Sequence, residues 1–269
     1  MPHIDPGPTQ PMDPFSQKRS SSPSHGQQPP RRQSPPSSRQ APPPPPQQPS
    51  RSPKVDIRLA AQTDVGRQRT QNEDWVKTLT IPHFFNQGTA YICIVADGVG
   101  GEAGGEHASY TVVSILQEWL LAAQNAPPED IPHYLSQAIL AANQRLLEDM
   151  VQRPELEGMG STVVVGLILG DRLYVAHVGD SRAYLVRNGH IYQLTVDHSW
   201  GQQALETGYL SPQEVTMHPN RNVLKRFLGT DEPLQVDTDI IEPGTFDPTK
   251  PQQWRRLPFL TLQPNDRLL

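Results

Sequence analysis

The pattern of apolar and polar positions divides the chain into a polar N-terminal part and a body rich in strands and helices. Apolar runs predict strands over residues 91–96, 161–169, 171–178, 182–187 and 191–195. Apolar residues at helical spacing predict two amphipathic helices, over 107–123 and 131–151. Connections as short as Gly170-Asp171 and the hairpin signal Asn188-Gly189 indicate antiparallel neighbours. The order of these elements predicts an α+β fold with a mostly antiparallel sheet.

The first 54 residues have a composition that does not support a packed core. They contain 17 of the 30 prolines of the chain, including Pro42 to Pro46, with Ser, Gln and Arg between them. We expect a disordered tail over 1–54 with polyproline character. Its seven basic residues face two acidic ones, but it lacks aromatic interleaving, so a solvated tether is favoured over a nucleic-acid-binding arm. The globular body is predicted over 55–269, beginning with a strand-like alternation at 56–61.

The apolar runs and the single cysteine limit the cellular setting. No run approaches the ~18 apolar residues of a membrane span, and the N-terminus lacks the apolar segment of a signal peptide. Cys93 is the only cysteine, which excludes an intrachain disulfide, and its place in an apolar strand pattern predicts a core position. We therefore expect a cytoplasmic protein without a membrane span.

A glycine-rich loop follows the apolar strand at 91–96 and opens with Asp97 and Gly98. The spacing Gly98, Gly100, Ala103 also fits the dinucleotide-binding fingerprint G-x-G-x-x-G/A. A carboxylate just before the first glycine would repel a pyrophosphate, which favours a loop that carries a metal ion. A nucleotide loop and a purely structural turn remain as alternatives.

Four carboxylates lie at predicted strand ends or turns: Glu73, Asp74, Asp97 and Asp180. No Cys or His cluster accompanies them, and an all-oxygen site suits Mg²⁺ or Mn²⁺. Two such ions can bind a bridging water, lower its pKa and direct it at phosphorus, while an arginine holds the phosphate oxygens.

Two further segments carry polar residues whose role the pattern does not decide. His177 and His198 have no partner histidine at ligand spacing, so satisfied or surface histidines are favoured over metal ligands. The polar, helix-prone segment from Asp197 to Gly229 fits either a lid or a connecting excursion.

Five motifs follow one another along the chain: Arg69-x-x-Asn72-Glu73-Asp74, Ala96-Asp97-Gly98-Val99-Gly100-Gly101, Gly160-Ser161-Thr162, Val178-Gly179-Asp180-Ser181-Arg182-Ala183-Tyr184 and Leu194-Thr195-x-Asp197-His198-Ser199. In sequence and in order they resemble the motifs of PPM-type (type 2C) serine/threonine protein phosphatases of the bacterial branch. The resemblance covers 55–269 and implies a β-sandwich of two antiparallel sheets flanked by helix pairs, with a dinuclear Mn²⁺ or Mg²⁺ centre.

The resemblance also implies a role for each matching residue of the centre. Asp97 would bridge both ions, Gly98 would offer its carbonyl, Glu73 would bind one ion directly or through water, and Asp180 would help to bind a third. Asp74 would hold metal-bound water.

On the substrate side, the resemblance implies that Arg69 would grip the phosphate and that the segment after His198 would be the family's flap, which influences substrate choice. Val99 stands where many animal members have a histidine proposed as general acid. The implied activity is hydrolysis of phosphoserine and phosphothreonine in proteins, opposing serine/threonine kinases, by a monomer that binds no nucleic acid.

The C-terminal segment departs from the family pattern. In the family, the last two metal-binding aspartates, in S-D-G-L-x-D and a later D-N pair, follow the strand that Asn265-Asp266-Arg267-Leu268-Leu269 would enter. We therefore expect a C-terminally truncated domain, a fragment or truncated open reading frame, whose strand edges are unpaired and whose acidic site is short of charge. The alternative function is accordingly a catalytically impaired fragment or pseudophosphatase that binds phosphorylated partners as a regulatory module.

Overall fold

The computed structural model describes residues 56–67, 71–100, 102–127 and 129–269. The predicted tail over 1–54 and the predicted phosphate-gripping residue Arg69 lie outside the described residues. Both therefore stay predictions. Within the described part of the chain, no helix is long and apolar enough to cross a membrane.

Strands and helices follow one another in a strand-rich order. The strands are β1 (Asp74–Phe84), β2 (Gly88–Val99), β3 (Gly160–Ser161), β4 (Val163–Leu169), β5 (Arg172–Val178), β6 (Tyr184–Arg187), β7 (His190–Gln193), β8 (Ile240–Ile241), β9 (Arg256–Leu257), β10 (Leu260–Thr261) and β11 (Arg267–Leu268). The α-helices are α1 (Glu102–Ala122), α2 (Ile131–Gln152), α3 (Trp200–Glu206) and α4 (Pro212–Met217).

The main sheet has six antiparallel strands in the order β1-β2-β4-β5-β10, with β3 paired to the end of β2. Helices α1 and α2 cover one face of it, where alternate β2 residues such as Ile92 and Ile94 are buried with Leu116 and Leu135. This burial of every second strand residue follows from the two-residue repeat of a strand. The predicted α+β class and the antiparallel arrangement are confirmed.

The opposite face of the main sheet packs against a second, smaller sheet of order β11-β6-β7. Val164 and Val175 from the main sheet share a hydrophobic core with Leu185 on β6 and Leu194 just after β7. The β6–β7 hairpin turns at Asn188 and Gly189, whose φ values are 53° and 77°, as the sequence signal predicts. Two antiparallel layers with helices on the outside therefore form the predicted sandwich.

Three details of the sequence prediction are wrong. Residues 56–61 form no strand, and in that segment Ile57 packs against the second core. Helix α1 begins at Glu102, earlier than the predicted 107. Cys93 is exposed, because Ile92 and Ile94 take the helix-covered face and Cys93 points the other way, into a cavity of about 250 Å³.

Candidate active site

Two of the predicted carboxylate residues are neighbours across the β1–β2 pair. Asp74 and Asp97 are register partners at the start of β1 and near the end of β2. The backbone continues this pairing, since the Gly98 N–H donates to the Glu73 carbonyl at 3.1 Å. The Ser109 hydroxyl on α1 also donates to that carbonyl, at 2.6 Å. Sheet pairing and the first helix therefore fix the backbone that carries Glu73, Asp74 and Asp97.

Gly98 is required by the close approach of α1 to the loop. A Cβ atom at this position would collide with the carbonyl oxygen of Gly105 and would lie 2.9 Å from the Glu73 carbonyl oxygen. A Cβ atom at Gly105 would lie 3.1 Å from the Glu73 carboxyl. The glycines thus let the helix pass directly over the Glu73 side chain.

The Gly160-Ser161-Thr162 segment holds Asp97 from the other side. The Thr162 N–H donates to the Asp97 carbonyl at 2.8 Å, and the Asp97 N–H donates to the Thr162 hydroxyl oxygen at 3.1 Å. The Ser161 hydroxyl donates to the Asp97 carbonyl at 3.1 Å. Thr162 also shares a 2.6 Å hydrogen bond with the Ser181 hydroxyl, which links this segment to the loop of Asp180.

Asp180 follows β5 in a loop that needs Gly179. Gly179 has a φ of 106°, and a Cβ atom there would lie 2.5 Å from Thr162. Burial raises the pKa of the Asp180 carboxyl, and the nearby negative charge of Asp197 raises it further. The loop therefore holds a partly buried carboxyl beside a second acid.

A cleft of about 850 Å³ opens at these strand ends and is lined by Asp97, Asp180 and Asp197. Its opposite wall comes from residues 199–229, which we call the flap segment, and includes Arg221 and Gln202. Arg182 also lines the cleft and pairs with Asp197 through both carboxylate oxygens. The cleft thus places acidic groups beside arginine side chains that suit a phosphate ester.

The predicted ligands are brought together only in part. Asp97 and Asp180 share the cleft, whereas Asp74 lines a neighbouring pocket of about 440 Å³ with Asn72 and Glu106. No three of the predicted carboxylates have oxygen atoms within 4.8 Å of one another among the described residues. Ligands of two ions about 3.5–4 Å apart can be more widely spaced than those of one ion.

The donor set still fits a hard divalent cation. Carboxylate and backbone carbonyl oxygens are the ligands that Mg²⁺ and Mn²⁺ prefer. Burial, and after it the negative charge of Asp197, raise the pKa of the Asp180 carboxyl, and a bound cation would offset both effects.

Two groups of residues at or behind this cleft are not among the site residues that the sequence predicts. Asp197 lines the cleft, and the sequence indicates it only as part of a motif. His177 and His198 are buried and not at the surface, their rings stack with centroids 4.7 Å apart, and with Asp237 they form a cluster of metal-ligand spacing. No spacing signal could have found this cluster, because its members come from three separate segments.

The fold and the cleft define an α+β protein with an acidic site for hard cations at the end of its antiparallel sheets. The chain belongs to the protein phosphatase 2C family, whose model matches residues 66–204. It is 35% identical over 187 residues to the serine/threonine phosphatase stp of Listeria welshimeri, covering 69% of this chain and 72% of that protein.

Solved structures agree with this assignment. The serine/threonine phosphatase of S. agalactiae superposes with a TM-score of 0.64 at 28% identity, covering 77% of this chain and 75% of that one. The catalytic domain of the phosphatase PstP, solved in complex with 2 manganese ions, gives a TM-score of 0.54 at 32% identity, covering 67% and 71%. The predicted family is therefore confirmed.

Proposed function

We propose that the chain is a metal-dependent phosphatase that hydrolyses phosphoserine and phosphothreonine in proteins with Mn²⁺ or Mg²⁺. The observation that carries this proposal is the cleft in which Asp97 and Asp180, from separate strand ends, face Arg221 of the flap segment. The manganese ions of the related PstP domain support the choice of metal.

The residues that would hold two ions are Glu73, Asp97 and the carbonyl of Gly98, and Asp180 would help to hold a third. When bound, the ions supply a water of lowered pKa and neutralise charge on the phosphate. The chain's own contribution is rigidity, since the backbone of Asp97 is fixed by hydrogen bonds to Ser161 and Thr162. Preorganised ligands of this kind need no rearrangement during the reaction.

The remaining polar residues have proposed roles on the substrate side. Asp74 would orient water, and Arg69 would hold phosphate oxygens bidentately. Val99 lines the cleft and has no ionisable group, so protonation of the departing serine or threonine oxygen would need water or another group.

The partners follow from this chemistry. Phosphoproteins are the substrates, and serine/threonine kinases would supply them. We further infer a monomeric cytoplasmic protein in which residues 55–269 act as the phosphatase domain and residues 1–54 as a tether. A non-catalytic phosphoprotein-binding module is less well supported, because the relatives are named as phosphatases.

The proposal is tested by Mn²⁺-dependent hydrolysis of p-nitrophenyl phosphate and of a phosphothreonine peptide by the 269-residue chain. Asp97→Asn should reduce turnover to background, because it removes the proposed bridging charge. Asp171→Asn, in the exposed turn before β5, is the matched control and should keep full activity. Activity in Asp97→Asn equal to the parent, or none in the parent with any divalent ion, would refute the proposal.

A further inference from the structure

A buried histidine pair lies directly behind the loop that carries Asp180. His177 on β5 is 2% exposed and His198 is 5% exposed. Their rings stack at an interplanar angle of 20°, and Asp237 approaches His198 with its Oδ2 atom 3.4 Å from Nε2. Within the described part of the chain, His177 Nδ1 and His198 Nε2 are buried without a hydrogen-bond partner. Two such atoms in one cluster call for an explanation.

The spacing of the three side chains suits a metal ion, but the protonation state that a metal would require of His198 does not fit its hydrogen bonds. The backbone N–H of Gly179 donates to His198 Nδ1 at 3.0 Å, so that nitrogen is an acceptor. In the neutral ring the proton must then be on Nε2, which faces Asp237. A cation bound at Nε2 would require a His198 ring with no proton on either nitrogen. The Nε2 proton therefore points at Asp237 Oδ2 across 3.4 Å, an electrostatic contact longer than a good hydrogen bond.

His198 forms two hydrogen bonds with the backbone of Gly179. Besides accepting from the Gly179 N–H, it donates its own backbone N–H to the Gly179 carbonyl at 3.0 Å. Gly179 has no side chain and has a φ of 106°, so contacts from outside must hold its backbone. The residue after it is Asp180, which lines the cleft. A rotation at Gly179 would therefore change the direction of the Asp180 carboxylate.

Asp237 is itself fixed against β5. Its backbone N–H and carbonyl exchange hydrogen bonds with His177, at 3.2 and 2.8 Å. Its Oδ1 atom accepts from Arg226 at 2.7 Å, and its Oδ2 atom faces His198 at 3.4 Å and Arg256 at 3.8 Å. A second interaction orients the histidine stack, since His177 Nε2 donates to the Val196 carbonyl at 2.8 Å. The arrangement resembles the outer-shell partners that orient metal ligands in other proteins.

We infer that His198 and Asp237 are positioning residues that hold Gly179 and thereby direct Asp180 into the cleft. Neither residue contacts the reacting groups. The inference rests on the proposed function only in that Asp180 is taken as a metal ligand. The hydrogen bonds between His198 and Gly179 do not depend on that assumption.

The test compares His198→Leu with His198→Asn in the full chain. Asparagine keeps an acceptor where His198 Nδ1 lies, whereas leucine removes it. The first readout is hydrogen exchange of the Gly179 amide, which should accelerate about tenfold in His198→Leu and much less in His198→Asn. The second is Mn²⁺ affinity by calorimetry, which should fall about tenfold or more in His198→Leu and be largely restored in His198→Asn.

His107→Leu is the matched control, because His107 also pairs with a buried carboxylate, Asp149, but between α1 and α2. It should lower stability without changing either readout. Equal effects of asparagine and leucine at 198, or an equal loss of Mn²⁺ affinity in His107→Leu, would overturn the inference. If His198→Leu does not fold, Asp237→Asn is measured in its place. An exchange rate of the Gly179 amide about threefold faster than in the parent supports the inference, and an unchanged rate overturns it.

The two readouts separate this inference from the proposed function. A chain without phosphatase activity that still shows the asparagine–leucine difference in exchange at Gly179 would contradict the function alone. An active phosphatase in which substitutions of His198 change neither the exchange rate at Gly179 nor the Mn²⁺ affinity would contradict the inference alone.

Discussion

Arg182 donates two hydrogen bonds to the carboxylate of Asp197, from Nε at 2.7 Å and from the terminal nitrogen at 2.6 Å. This pairing raises the pKa of the Arg182 guanidinium, chiefly through the hydrogen bonds to Asp197. The pair lies in the cleft beside Asp180, and the negative charge of Asp197 contributes to the raised pKa of the Asp180 carboxyl. Arg182 therefore controls how much negative charge the cleft presents to a phosphorylated substrate.

Replacing Arg182 with methionine should raise the KM for a phosphopeptide about tenfold at low salt, because one positive charge leaves the cleft and the substrate is an anion. Arg182→Lys keeps the charge and loses the bidentate geometry, so its KM should rise less. Steady-state kinetics at low and high salt measure both effects. An equal KM in the two variants would show that charge does not matter here.

Gly98→Ala should prevent folding or lower the free energy of unfolding by more than about 3 kcal/mol, because the added methyl group would collide with the Gly105 carbonyl. Gly170→Ala, in an open turn with a φ of 65°, is the control and should cost about 1 kcal/mol from backbone strain alone. Urea denaturation measures both values. Similar losses would mean that α1 does not approach the loop as described.

Asn143 on α2 anchors the end of the flap segment. Its Oδ1 accepts from the N–H groups of Gly229 and Thr230 at 2.7 and 3.3 Å, and its Nδ2 donates to the Thr230 carbonyl at 3.0 Å. Asn143→Ala should lower the free energy of unfolding by about 2 kcal/mol, since half-buried backbone groups of Gly229 and Thr230 lose their partners. The exposed neighbour Gln144→Ala should cost well under about 1 kcal/mol. Thermal unfolding compares them.

Asp149 on α2 pairs with His107 of α1 at 2.8 Å and, at the end of its own helix, with Arg145 and Arg153 at 3.0 and 3.2 Å. Burial acts to raise the pKa of Asp149, but the hydrogen bonds from His107 and Arg145 outweigh it, so that the pKa falls below its ordinary value of 3.8. The folded carboxyl therefore binds a proton less readily than the unfolded one. The stabilisation is complete above pH 3.8 and is lost as the pH falls through the folded pKa.

Asp149→Asn should accordingly lower the free energy of unfolding by about 2 kcal/mol at neutral pH, a value reduced by the exposure of the arginines. The difference from the parent should shrink below pH 3.8. Glu148→Gln, an exposed position on the same helix, should show neither effect. A difference that is constant down to acid pH would mean that the charge of Asp149 is not what joins the helices.

How far the sequence predicts this molecule depends on whether a feature is local. The β6–β7 hairpin follows from Asn188-Gly189, and the two long helices follow from their apolar repeat. Cys93 was misplaced because an apolar run does not say which side of a strand the helices cover. The cluster of His177, His198 and Asp237 depends on tertiary packing alone, and no spacing along the chain predicts it.

If acidic groups from separate strand ends hold divalent ions in the cleft, anomalous diffraction from crystals soaked in Mn²⁺ will locate the ions there. Manganese peaks are expected beside Asp97, two of them about 3.5–4 Å apart. Peaks confined to the cluster of His177, His198 and Asp237, or a cleft without manganese at saturating concentration, would contradict this expectation.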